Sequence, residues 1–164
     1  MIKKFLTTLS LLLLLALPVQ AADKGAIELR SAAEVEITVK NDKGVSQVTR
    51  VDAAMAKVVP GDTVIFSTHY VNVGANPATD VVIDNPVPEH MLYLDGSAEG
   101  ANTRIEFSVD QGKSFAAAGK LKVKDAKGKE RPATAADYTN IRWTMEGALG
   151  KGARGSVSFR AKLT

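Results

Sequence analysis

The chain has 164 residues, with 21 Lys and Arg against 18 Asp and Glu, and no cysteine. The lack of cysteine excludes thiol nucleophiles, thiolate metal sites, disulfides and dithiol redox chemistry. The formal charge of +3 is too small to point to nucleic acid, and part of it belongs to a leader.

That leader is residues 1–21. Lys3 and Lys4 precede an apolar run from Phe5 to Leu17, broken only by Thr7, Thr8 and Ser10. Pro18, Val19, Gln20 and Ala21 then give the small-residue end of a signal peptide, predicting cleavage after Ala21 or one residue later. The run is short for a membrane span and no second apolar span comes after it. With no cysteine at the cleavage site, no lipoprotein anchor is expected. Without Lys3 and Lys4 the mature chain has 143 residues, 19 basic and 18 acidic, and a net charge of +1. The expectation is one periplasmic or secreted domain over 22–164, with no membrane span and no nucleic-acid partner. A chain of that length can hold a core by burial alone.

Alternation governs the mature chain. Ile27, Leu29, Ala33, Val35, Ile37 and Val39 alternate with Glu28, Arg30, Glu34, Glu36 and Lys40. This predicts a half-buried strand with one apolar and one charged face. So clean a pattern also suits strand exchange between subunits, whereas pairing within the same chain is the ordinary alternative. Asn41, Asp42, Lys43 and Gly44 make a turn and residues 45–51 a return strand. Residues 53–57 favour a helix locally but are too few to form one alone. Strands are predicted over 63–73, 79–84, 91–94, 104–109, around 121–123, over 140–145 and over 156–163. Gly, Pro and Asn turns separate them. Many short strands and no long 3.6-residue period indicate an all-β antiparallel sandwich.

Two stretches resemble a known family. Pro60-Gly61-Asp62-Thr63-Val64 leads into Val71-Asn72-Val73-Gly74-Ala75-Asn76-Pro77-Ala78-Thr79-Asp80-Val81-Val82-Ile83. Asn85-Pro86-Val87-Pro88-Glu89-His90-Met91-Leu92-Tyr93 comes next, ending in Gly96-Ser97-Ala98. The tail runs Tyr138-Thr139-Asn140-Ile141-Arg142-Trp143, then a glycine-rich segment and Val157-Ser158-Phe159-Arg160. This order of motifs, over about residues 50–164, resembles the conserved-repeat domain of bacterial envelope proteins (domain of unknown function eleven). The resemblance implies an immunoglobulin-like sandwich and an envelope setting, and it brings no catalytic residues with it. His90 stands where that pattern commonly has a small residue. The matched residues also have local duties. Asn72 can hydrogen-bond its own turn, and Pro86 and Pro88 keep their segment from pairing as a central strand.

Ser108-Val109-Asp110-Gln111-Gly112-Lys113-Ser114-Phe115 resembles the Asp-box hairpin of sialidases and other β proteins. A glycosidase would need a longer propeller, repeated boxes and a cluster of arginines, so a structural turn is expected. His69 falls on the strand face opposite Val64 and Tyr70, and His90 in a loop. Neither shares a ligand spacing with Asp84, Glu89 or Asp95, and no metal is expected. Asp80, Asp84 and Asp95 lack a calcium-loop pattern. Trp143, in step with Ile141 and Met145, reads as core. No nucleophile–base pattern is visible, so the chain is not expected to be an enzyme, and no cofactor is implied.

The densest basic run is Lys120, Lys122, Lys124, Lys127, Lys129 and Arg131. It reads either as a patch for an anionic envelope polymer or as an edge strand whose outward lysines block aggregation. The sequence as a whole points to a non-catalytic structural or protein-interaction module of the bacterial envelope, its partner an unidentified envelope protein. The alternative is a carbohydrate- or anionic-polymer-binding domain acting through the basic run.

Overall fold

The computed structural model describes residues 26–40 and 43–164; the leader, its cleavage site and residues 41–42 of the expected 41–44 turn lie outside them. Within this part, eleven strands run in order: β1 (Ile27–Lys40), β2 (Ser46–Asp52), β3 (Thr63–Asn72), β4 (Val82–Pro86), β5 (Met91–Tyr93), β6 (Glu99–Gly100), β7 (Thr103–Ser108), β8 (Lys122–Lys124), β9 (Glu130–Pro132), β10 (Asn140–Met145) and β11 (Arg154–Leu163). One 3-10 turn, Ala135–Asp137, precedes β10.

The larger sheet has the order β2-β1-β3-β11-β5, with β6 also on β11, and the smaller one the order β4-β10-β7. All pairings are antiparallel. The two sheets face each other as a sandwich, and β8 and β9 form a separate ribbon. Alternation supplies the core. Val64, Thr68, Tyr70 and Asn72 of β3 point inward, as do Val157, Phe159 and Ala161 of β11, towards Ile141 and Trp143 of β10. The Phe159 ring stacks on Phe66 at 5.1 Å and approaches Trp143 at 6.4 Å, joining the sheets. A second aromatic cluster of Tyr93, Phe107 and Tyr138 closes one side, with Phe107 and Tyr138 stacked at 4.4 Å. Fully burying a side chain such as Phe159 stabilises the fold by about 2–3 kcal/mol. The Thr68 hydroxyl and the Asn85 amide bond across the sheets at 2.9 Å.

The loops are tied by side chains. Asn72, fully buried, donates through Nδ2 to the carbonyls of Asn76 (2.9 Å) and Leu149 (2.7 Å). Its Oδ1 accepts from the Gly74 amide at 2.9 Å. Its role is therefore wider than the local turn expected from the sequence. It joins the 73–77 loop to the 149–153 loop, which also bonds to the Asn72 backbone. Residues 53–55 form a turn capped by Asp52, whose Oδ1 accepts from the Ala54 amide, and no helix forms there. Predicted strand 79–84 is realised as Val82–Pro86, an edge strand, so Pro86 forgoes no central ladder bond.

Candidate interaction surfaces

The sequence led us to expect β1 to bury its apolar face. The pairing is intramolecular, with β2 and β3, but the burial is not as expected. Val35 is the buried residue of β1, while Leu29 is 52%, Ile37 36% and Val39 41% exposed. The reason is the unequal width of the two sheets. The main core cluster is built by β4, β10 and β7 with β3, β11 and β5, and of β1 and β2 only Ile27 packs against it, so these two strands overhang. β1 pairs with β3 over 27–35 and with β2 over 34–40, so residues 36–40 and their β2 partners extend past the start of β3 as a two-stranded arm.

The arm is apolar on more than one side. Val45 is 58% and Val48 63% exposed, and Met55, in the turn at its base, is 88% exposed. Among the described residues, five of the nine large exposed hydrophobic side chains belong to the arm or that base, a concentration that marks a contact surface. Its charged face is held by Glu36, which lies 3.3 Å from Arg50 and 3.6 Å from Arg160 over the buried Ile65.

The outer edge of β2 is also open. The Ala53 amide donates to the Ala33 carbonyl, so the hydrogen-bonded pairs of this ladder are the odd-numbered residues of both strands. The N–H and C=O groups of Ser46, Val48, Arg50 and Asp52 therefore point away from β1, and of these the Asp52 carbonyl is taken by the Met55 amide at 2.9 Å. The other edges are shorter or protected. The β1 side of the arm runs past β3 only over residues 36–40, β4 ends at Pro86 with Pro88 close behind, β5 has three residues, and β7 exchanges two hydrogen bonds between Phe107 and Ala116.

The basic run is folded into the β8–β9 ribbon and is divided. Lys122 sits 3.4 Å from Glu130, and Arg131 makes a bidentate pair with Asp137, both bonds 2.7 Å. Asp125 Oδ1 accepts from the backbone amides of Lys127 and Lys129 and so builds the tip. Lys124, Lys127 and Lys129 surround that tip and are exposed, and Lys120 is exposed at the start of the ribbon. The opposite face carries Leu121, Val123 and Ala133 onto the core.

The Asp-box is a closed turn. Asp110 accepts from the hydroxyls of Ser114 (2.6 Å) and Ser108 (2.7 Å) and from the amides of Lys113 and Ser114. The Ser114 hydroxyl, then that of Ser108, holds the Asp110 carboxyl well below the usual carboxylate range. Asp137 is held low in the same way by the Arg131 guanidinium. All four of the Asp110 bonds come from residues 108–114, so that carboxylate shapes its own turn. Phe115 lies under the Arg142 guanidinium at 3.6 Å, and Arg142 also holds Asp84 with two 2.8 Å bonds. Both carboxylates, Asp110 and Asp137, have folded pKa values below the unfolded value of 3.8, so each adds stability above that pH and loses it as the pH falls. The urea midpoint should therefore drop from pH 5 to pH 2.5 in the parent. In the Asp110→Asn, Asp137→Asn double variant it should start lower and change less. An unchanged pH slope in that variant would show that other carboxyls govern acid unfolding.

His69 lies exposed on the outer face of β3, and His90 in the Pro88–Met91 turn at a φ of 61°. They do not converge, and among the described residues no three His, Asp or Glu side chains are placed to hold a metal ion. Asp80, Asp84 and Asp95 are likewise not gathered. Burial raises the Tyr93 and Tyr138 phenols, which sit in the aromatic cluster. Among the described residues no helix is long and apolar enough to cross a membrane.

No family model matches this chain, and comparison with curated proteins and with solved structures finds no match. Sequence reasoning missed the exposed arm. The available signal was the spacing of Val45, Val48 and Val51, three apart, which puts valine on both faces of one strand.

Proposed function

We propose that this protein is a non-catalytic, exported β-sandwich that works by docking a protein of the bacterial envelope along the open edge of its β1–β2 arm. The carrying observation is the coincidence of two features. The longest unprotected sheet edge is also where exposed Ile, Val and Met side chains concentrate. Strand addition at such an edge gives affinity through main-chain bonds and specificity through alternate side chains. The leader and the resemblance to envelope repeat domains support the periplasmic or secreted setting.

The test is cross-linking in intact cells with the exported chain, comparing the parent with Val48→Pro. Proline at 48 removes an outward amide and spares the β1 ladder, whose donors are the odd-numbered residues. The cross-linked partner should be lost in this variant and kept when Lys124, Lys127 and Lys129 are replaced by Gln. Retention of the partner in a folded Val48→Pro chain would remove the edge from the mechanism.

A second reading is favoured by the three exposed lysines around the β8–β9 tip, which suit an anionic envelope polymer. Binding of that kind would weaken steeply with salt and disappear in the triple Gln variant.

A further inference from the structure

We infer that the strand that completes the β2 edge is β2 of a second copy of this chain, paired antiparallel about a two-fold axis through Thr49. The inference rests on the arm being a docking surface, and it names the occupant.

The strand is self-complementary in three respects. The first is parity. The register that pairs all seven residues of Ser46–Asp52 with their own copy sets Val48 opposite Arg50 and Ser46 opposite Asp52. These are the residues whose N–H and C=O groups point outward, so the ladder forms without rotating the strand; the Asp52 carbonyl alone is already engaged, by the Met55 amide. Thr49 then meets Thr49 as a close, non-hydrogen-bonded pair, a favourable cross-strand contact.

The second is charge. No like charges are directly opposed. The Glu34–Asp52 row of one copy continues into the Ser46–Lys40 row of the other, acid running into base. The row through Arg50 continues into exposed Val48, which can cover the arginine stem. Moving the axis by one residue to Arg50 would instead oppose two guanidiniums.

The third is apolar continuity. On the other face, Ile37 and Thr49 of each copy form one row, flanked by rows containing Val35, Val39 and Val51. Extending the register past the strand ends sets Val45 of one copy against Ala53, next to the exposed Met55 turn of the other. The pairing thus brings the apolar rows of the two arms side by side in one sheet face. The product is one continuous sheet running through both sandwiches (heterologous strand addition would leave an edge open at its far side).

The chain has no cysteine, so single cysteines report the register cleanly. In the two-fold pair the Cβ atoms at position 49 lie about 5 Å apart, within reach of a disulfide after slight adjustment. Those at position 47 are separated by four residues along the strand, roughly 13 Å. The exported chain should sediment as a dimer at micromolar concentration, and Val48→Pro should return it to monomer. Thr49→Cys should link into dimers under mild oxidation many times faster than Gln47→Cys. If Val48→Pro unfolds the arm, the cysteine comparison decides by itself. A chain that stays monomeric, or one in which both cysteines link at equal rates, overturns the inference. If a monomeric chain still cross-links a different envelope protein through the arm, the second copy is excluded and the docking reading stands. If the arm cross-links nothing, both fail.

Discussion

Replacing Asn72 by Ala is expected to cost about 3 kcal/mol, out of proportion to the few atoms removed. The substitution leaves the Gly74 amide and the carbonyls of Asn76 and Leu149 without their partner in a site closed to solvent. Each buried group stripped of its bond costs about 1–3 kcal/mol, and partial rehydration of the loops keeps the sum near the stated value. Urea denaturation of parent and variant measures it. Asn72→Asp gives a sharper check. Its carboxylate can still accept from Gly74, but it faces two carbonyl oxygens where the amide donated. Ionisation is therefore penalised, the aspartate pKa rises in the folded state, and the deficit should shrink as the pH is lowered towards 4. A loss that is the same at all pH values would mean that Asn72 acts through shape alone.

Trp143→Ala should destabilise by about 3–5 kcal/mol, because it empties the volume that joins β10 to Phe159 of the opposite sheet. For a domain of this size that is roughly a 10–15 °C fall in Tm. The indole Nε1 is fully buried, and the described residues offer it no acceptor. Trp143→Phe removes that unsatisfied donor along with part of the ring, so its cost should stay near 1–2 kcal/mol. Calorimetry on the two variants separates volume from hydrogen bonding. As the chain's one tryptophan, Trp143 also reports core formation by its emission, which should be blue-shifted in the native state. Equal losses for Ala and Phe would show that the polar atom, not the volume, sets the cost.

Much of the architecture was legible because it depends on period-two burial. Val64 to Tyr70, Ile141 to Met145 and Val157 to Ala161 alternate as they do because both of their neighbours are fixed by the sandwich. β1 alternates just as cleanly and was misjudged in burial. Alternation records which face an apolar residue takes, but not whether another sheet lies over it. That depends on the relative widths of the two sheets, which are set by pairings between distant segments. The same holds for Asn72. Its turn-forming role is local and was visible, whereas its bond to Leu149 joins residues far apart in the chain. In the basic run, Asp137 and Glu130 neutralise two members. Each answers a side chain brought close by the ribbon and the 3-10 turn, not by simple spacing.

The position of β11 has a consequence for how the molecule is made. The last strand is not an edge. It lies between β3 and β5, and its Leu163 carbonyl and amide bond to Gly61 and Asp62. Val64 and Ala161, or Val71 and Arg154, can meet only when nearly the whole chain is available. A ribosome delivers the polypeptide from its N-terminus, so the larger sheet stays split until β11 emerges. Long-range closure of this kind is slow. β3 and β5 therefore stay unjoined until β11 arrives, and its arrival locks the sheet.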